Sequence, residues 1–170
     1  MENRVICAIT GRSYEEIGNG RTEIYSVNAD IKMSINEKIR KLVDNGVTDF
    51  ICHAEYGVPL WAAEYIIMLR DSQEENGQSP ISLHILQVYK RQPFKWDYDI
   101  QDRFFNVLAD ADTVTTLKQP YSGYSYQKCE RIMIESCNFL LTDDRGNFAA
   151  QYAELHGKPM IICDDVLMCV

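Results

Sequence analysis

No apolar run in this 170-residue chain approaches the roughly 18–20 residues that a membrane span requires. No basic segment followed by an apolar stretch opens it either, so neither a spanning helix nor a secretory signal is expected, and a cytoplasmic protein is. Positive charge is scarce, with 17 Lys and Arg against 25 Asp and Glu, a net charge of −8. A nucleic-acid interface needs a basic face, and the one local cluster is Lys90-Arg91 with Lys95. Nucleic acid is therefore disfavoured as a partner, although a basic lip of this kind suits a small phosphorylated ligand. The six cysteines form no C-x-x-C pair, and the three histidines (His53, His84, His156) share no metal-ligand spacing. No metal or cofactor is expected. Reduced, buried thiols in a reducing compartment are. The G-x-S-x-G elbow of serine hydrolases and the G-x-G-x-x-G fingerprint of dinucleotide folds are both missing.

What is present is alternation. Short apolar, β-branched runs occur at 5–9, 49–52, 81–88, 113–117, 138–141 and 159–163, and they read as strands buried on both faces. Between them lie segments of helical period. Ile31, Ile35, Ile39, Leu42 and Val43 form one face; Ile100, Phe104, Val107, Leu108 and Ala111 form another; Tyr126, Cys129, Met133 and Cys137 form a third. The 60–69 segment is apolar nearly all round, and 71–80 reads as a polar surface loop. Parallel strands need crossovers, and crossovers place helices on both faces. The expectation is an α/β protein, a doubly wound, three-layer α/β/α sandwich with a mostly parallel, Rossmann-like sheet of 3-2-1-4-5 type order. A single domain should span residues 1–170, with Ile35, Ile39, Trp61, Ile67, Phe104 and Met133 buried.

In such a sheet the ligand sits beyond the carboxyl ends of the strands, where strand order reverses. Two strand–glycine-turn–helix units stand out. Residues 5–9 lead into Thr10-Gly11-Arg12-Ser13, and residues 49–52 lead through His53, Glu55 and Gly57 into a helix opening on Trp61-Ala62-Ala63-Glu64. Turns of this type present backbone N–H groups to a phosphate. The long 12–28 connection is a further functional candidate. Later strand ends add Tyr89, Gln92 and Trp96, then Tyr121, then Asp143 and Gly146. The candidate ligand contacts are therefore Thr10, Gly11, Arg12, His53, Glu55, Gly57, Tyr89, Gln92, Trp96, Tyr121, Asp143 and Gly146. Glu55 and Glu64 are the carboxylates available for catalysis, with pairing to an arginine as the structural alternative for Glu64. The doublets Asp143-Asp144 and Asp164-Asp165 read as helix N-caps rather than metal ligands. Trp61 reads as core. Nothing here sets the number of copies, and a homo-oligomer is one open arrangement.

The string G-V-T-D-F-I at 46–51, G-V-P-L-W-A-A-E at 57–64, Gln92 with Trp96, A-D-A-D at 109–112, Tyr121, M-I-E at 133–135 and G-K-P at 157–159 together resemble the YpsA-like family of the SLOG superfamily. That superfamily is Rossmann-like, binds nucleotides or their derivatives, and includes DNA-processing protein A and the cytokinin-activating phosphoribohydrolases. The resemblance implies a binder or sensor of a nucleotide-derived small molecule, without catalysis. An N-glycosidic-bond hydrolase acting on a nucleoside monophosphate and a protein-interaction module built on the 90–96 loop are the alternatives. Departures from the family pattern gather at the ligand side. Arg12-Ser13 stands for His-Arg, Cys52-His53 for Ser-Gly, Pro59 for a later Asp, Cys129-Glu130 for Arg-Asn, and Gly146-Asn147-Phe148 for Gly-Gly-Thr. The P-G-G-x-G-T-x-x-E signature of the phosphoribohydrolases is absent. A changed ligand or a decayed site is the expectation.

Overall fold

A computed structural model describes residues 3–18 and 26–163. The Asp164-Asp165 doublet, Cys169 and the middle of the 12–28 connection lie outside the described residues. The elements run β1 (Ile6–Ile9), α1 (Tyr14–Gly18), α2 (Ser26–Asp44), β2 (Asp49–Cys52), α3 (Val58–Glu75), β3 (Ser82–Gln87), α4 (Tyr98–Asp110), β4 (Thr113–Thr116), α5 (Ser125–Ser136), β5 (Phe139–Thr142), α6 (Phe148–Leu155) and β6 (Met160–Ile162).

The six strands form one sheet in the order β4-β3-β2-β1-β5-β6, with every neighbouring pair parallel. This is the expected doubly wound sandwich. Right-handed crossovers put α2, α3 and α4 on one face and α5 and α6 on the other, matching the observed α2–α3, α3–α4 and α5–α6 packing. The order departs from expectation in one respect: the chain adds four strands before it turns back, so β5, not β4, lies beside β1. The physical reason is legible in β4 itself. Thr-Val-Thr-Thr is exposed at all four positions, and a strand so poor in apolar surface is stable at an edge but not beside β1. The other edge, β6, is only partly buried. Burial on both faces is confined to the interior strands.

The core has a layer on each side of the sheet. Ile35, Ile39, Leu60, Ile66 and Phe104 fill one, Met133, Ile134 and Ala153 the other, all at 1% exposure or less. Burying each large side chain contributes about 1.5–3 kcal/mol. Trp61 is core, as expected, but Ile67 is only partly buried and its neighbour Ile66 takes the interior position. The apolar stretch of α3 hid the phase of its buried face: burial runs from Val58 to Ala63 and on to Ile66, while Met68 is 60% exposed. The expected polar loop begins late, because α3 continues through Asp71 to Glu75 as a solvated helix end. The five described cysteines are buried, and no disulfide joins them among the described residues.

Candidate functional site

Strand order reverses between β1 and β5, so the loops after those strands flank the crevice where open α/β sheets hold their ligands. The loops after β1 and β2 are locked together. Tyr14 N–H donates to Tyr56 C=O at 2.7 Å, Val58 N–H donates to Arg12 C=O at 3.1 Å, and Ser13 pairs with Gly57 in an antiparallel bridge. Gly57 has φ 131°, and a Cβ there would lie 2.5 Å from the Arg12 carbonyl oxygen. A Cβ on Gly11 would lie 2.5 Å from Asp143 Oδ1 and 2.6 Å from Val58 Cγ1. The two glycines of the strand–turn–helix units thus allow chain to approach chain. The first turn of α3 is correspondingly occupied. Val58 N–H binds Arg12, Pro59 has none to offer, and Leu60 N–H donates to Glu55 C=O at 3.0 Å. Those amides face other protein atoms, not an open cradle.

Arg12 spans the reversal point. Its backbone N–H donates to Asp143 Oδ1 at 2.9 Å and its Nε to Oδ2 at 2.8 Å. Burial nevertheless pushes the Asp143 carboxyl up, more than Arg12 pulls it down. Beneath this pair Thr10 is fully buried, and its hydroxyl has no hydrogen-bond partner among the described residues. Gly146 belongs to the outer wall, where its N–H donates to Asp144 Oδ1 at 2.8 Å. The cap of α6 is Asn147, whose side chain accepts from Ala150 N–H. Asp143 and Asp144 therefore do not serve as the N-cap expected of them, because the strand-end turn runs on to Asn147.

A second group lies over β2 and β3. Glu55 follows Ala54, which sits at φ 55°, a left-handed conformation uncommon outside glycine. The Tyr126 hydroxyl, from the first turn of α5, donates to Glu55 Oε2. Burial pushes Glu55 up, against the pull of Tyr126, and burial together with the charge of Glu55 drives the Tyr126 phenol far up. His53 is buried, with its Nδ1 accepting Glu55 N–H at 3.2 Å. That contact leaves the ring proton on Nε2, which meets Glu130 Oε1 at 3.3 Å. The His53 and Tyr126 rings meet edge to face, 5.4 Å apart. Gln92 is buried as a brace, donating to His53 C=O at 2.8 Å and accepting Val88 N–H at 2.9 Å. Tyr89 and Tyr121 close the outer side with rings 5.4 Å apart, and Lys95 Nζ sits 5.7 Å over Tyr121.

Eleven of the twelve candidate contacts from sequence thus fall into three sets. Thr10, Gly11, Arg12, Asp143 and Gly146 surround the reversal point; His53, Glu55, Tyr89, Gln92 and Tyr121 belong to the adjoining cluster; Gly57 joins the loops. Trp96 is turned toward Tyr56 and Phe104, at ring distances of 6.3 and 5.4 Å, and anchors its loop to α4. Glu64 is held away from the others in a two-point ion pair with Arg103, at 2.6 and 2.7 Å, which is the structural alternative foreseen for it. Sequence reasoning missed Tyr126 and Glu130, read as a helix face and as a family departure. Their spacing of four residues puts both on one face of α5, and that was the available signal. Among the described residues no three His, Cys, Asp or Glu side chains group as metal donors, and no helix is long and apolar enough to cross a membrane.

The YspA SLOG family model matches residues 7–154, so the chain belongs to that family. A UPF0398 protein of Halalkalibacterium halodurans is 26% identical over 167 residues, covering 90% of this chain and 80% of that relative. A UPF0398 protein of Staphylococcus epidermidis is 24% identical over 145 residues, covering 80% and 74%. Among solved structures, DNA processing protein A from Helicobacter pylori, described for its single-stranded DNA binding mode, matches with a TM-score of 0.54 at 16% identity. It covers 93% of this chain, which spans 64% of that longer one. At that identity the likeness is one of fold.

Proposed function

We propose that this member of the YspA SLOG family binds a nucleotide-derived small molecule at the cluster of His53, Glu55, Tyr89, Tyr121 and Tyr126, and recognises it without transforming it. The observation that carries the reading is the Glu55–Tyr126 pair: a part-buried carboxyl, raised by desolvation and fixed by a phenol among aromatic rings. A carboxyl group held by a phenol at one oxygen keeps its other oxygen for a hydrogen bond to the edge of a base or a ribose diol. Flanking rings suit the flat face of a base. Phosphate has less to hold it, because Arg12 is balanced by Asp143 and the first amides of α3 are engaged. Recognition therefore rests on base and sugar more than on phosphate.

Hydrolysis of an N-glycosidic bond is the second reading, and one observation favours it, since a carboxyl raised by burial is what a general acid needs. Against it, the reaction also needs a second, ionised carboxylate at the anomeric carbon. Glu64 is committed to Arg103.

The test is a thermal-shift and calorimetry panel of nucleosides, nucleotides, sugar phosphates and a short oligo-dT. At about 100-fold excess over Kd, linkage supplies roughly 2.7 kcal/mol, a melting shift on the order of 5–10 °C. A response shared by a nucleoside and its monophosphate, and lost in Glu55→Gln and Tyr126→Phe, supports the reading. A flat response across the panel overturns it. A response to oligo-dT alone moves the site to nucleic acid. Release of free base from AMP, abolished in Glu55→Gln, promotes the hydrolase.

A further inference from the structure

The β4 edge is bare. Among the described residues β4 pairs with β3 alone, all four of its residues are exposed, and Val114 is 41% exposed. Asp112 N–H is spent on the Leu83 carbonyl of β3 at 2.9 Å. Leu117 N–H also donates to β3, to the Gln87 carbonyl at 2.9 Å, so in the β3–β4 register Thr113 and Thr115 bond to β3 and strand alternation turns the peptide groups of Val114 and Thr116 outward. Four β-branched residues without proline or charge make a pairing template, and natural edges of this kind are usually blunted or used.

The charges flanking this edge are sorted by sign. At its start stand Asp71, Asp110 and Asp112, with Arg70 shared between Asp71 and Asp112 at 3.2 and 3.1 Å. At its end Lys118, Lys128 and Arg131 line a groove of about 370 Å³ with Ile132 and Glu135. An antiparallel partner strand of the same sequence sets the acidic start of each copy against the basic end of the other.

We propose that β4 is the dimerisation edge of this protein, pairing antiparallel with β4 of a second copy about a two-fold axis at Val114. In that register Val114 exchanges both backbone hydrogen bonds with Val114 of the second copy, using its outward peptide groups. Val114 packs on its own equivalent, and Lys118 faces Asp110. The sheet becomes continuous across the two copies. A strand this short buries a small area, so the dimer is concentration-dependent rather than obligate.

Sedimentation velocity on the full chain at rising protein concentration tests this, together with charge reversal. Asp110 and Lys118 are both exposed, so the circular dichroism spectrum and Tm of each variant serve as fold controls. The expected result is a monomer–dimer equilibrium weakened by salt. Asp110→Lys and Lys118→Asp should each weaken it about tenfold or more, and the double variant should restore it. Val114→Cys should cross-link under mild oxidation, since directly opposed antiparallel residues lie within disulfide reach. Thr116→Cys should not, because its equivalent is about four residues of strand away. A monomer at every concentration gives the edge to a different partner and overturns the proposal. So do single reversals without effect, or Thr116→Cys cross-linking as readily as Val114→Cys.

Discussion

At the amino end of the sheet Asp49 is buried among donors. Arg4 reaches both its oxygens, Thr48 donates to Oδ2 at 2.6 Å, and His84 Nε2 meets Oδ1 at 2.7 Å. Burial alone would push Asp49 up, but these partners together hold it well below the usual carboxylate range. At the carboxyl end the balance reverses. Glu55 has a phenol as its closest partner and Asp143 one arginine, and burial wins at both. One end of the sheet satisfies its buried charge and the other leaves it partly unsatisfied. Unrelieved burial of ionisable groups marks sites held ready for a ligand more often than sites that merely hold a fold. On the function proposed above, the contrast separates the end that keeps the molecule together from the end that meets the ligand.

The strongest way to break this contrast is through backbone rather than charge. If the carboxyl end is held by the glycine-permitted approach of its loops, Gly57→Ala should be the most damaging change. Its Cβ would press on the Arg12 carbonyl and Tyr14 nitrogen, at 2.5 and 2.6 Å, from a conformation that L side chains rarely adopt. The expected loss is about 3 kcal/mol, roughly 6–12 °C in Tm, read by denaturant and thermal unfolding. A loss under about 1 kcal/mol would mean that the loops yield freely and do not fix Glu55.

Asp49→Asn comes next. Losing charge-assisted hydrogen bonds at a site 3% exposed should cost about 2 kcal/mol near neutral pH. Because the folded-state pKa of Asp49 is depressed, its stabilisation is fully present above the unfolded value, about 3.9. That stabilisation is lost as pH falls toward the folded value. The gap between wild type and Asp49→Asn should therefore close in acid. Glu55→Gln should show the opposite sign. A raised pKa gives stability that is present below the unfolded value, about 4.3, and is lost as pH rises through the folded one. The variant should thus match wild type in acid and exceed it by up to about 1 kcal/mol at pH 8. A fall in stability at pH 8 would put Glu55 with Asp49, and the contrast would collapse.

The layers of the fold were readable because alternating buried strands and one-faced helices admit few arrangements. Interior strands announced themselves as apolar runs, whereas β4 looked like them only in being β-branched. Its threonines fit an edge equally well, and local pattern does not choose between the two. The site was readable as a set of loops but not as a set of pairs. Tyr126 lies 71 residues beyond Glu55, and Asp143 lies 131 beyond Arg12. Such partners are created by the crossovers, not by any local spacing. The engaged amides of α3 were equally hidden, since a glycine turn that admits a phosphate and one that admits another loop read the same.

Glu64 supplies the smallest and most discriminating effect, because it belongs to neither side of the contrast. Its carboxylate is ionically paired like Asp49, yet it is about a third exposed, and so is Arg103. Water screens such a pair, so Glu64→Gln should cost only about 0.5 kcal/mol, close to the resolution of a thermal melt. Its value lies in the ligand response. A carboxylate bound at two points to α4 is not available to a reacting sugar, so any nucleoside-induced melting shift should survive Glu64→Gln and vanish in Glu55→Gln. Loss of that shift in Glu64→Gln with Tm intact would mean that the Arg103 pair opens when ligand arrives. The carboxyl end of the sheet would then offer two acids, one fixed and one released, rather than one, an arrangement suited to chemistry more than to recognition.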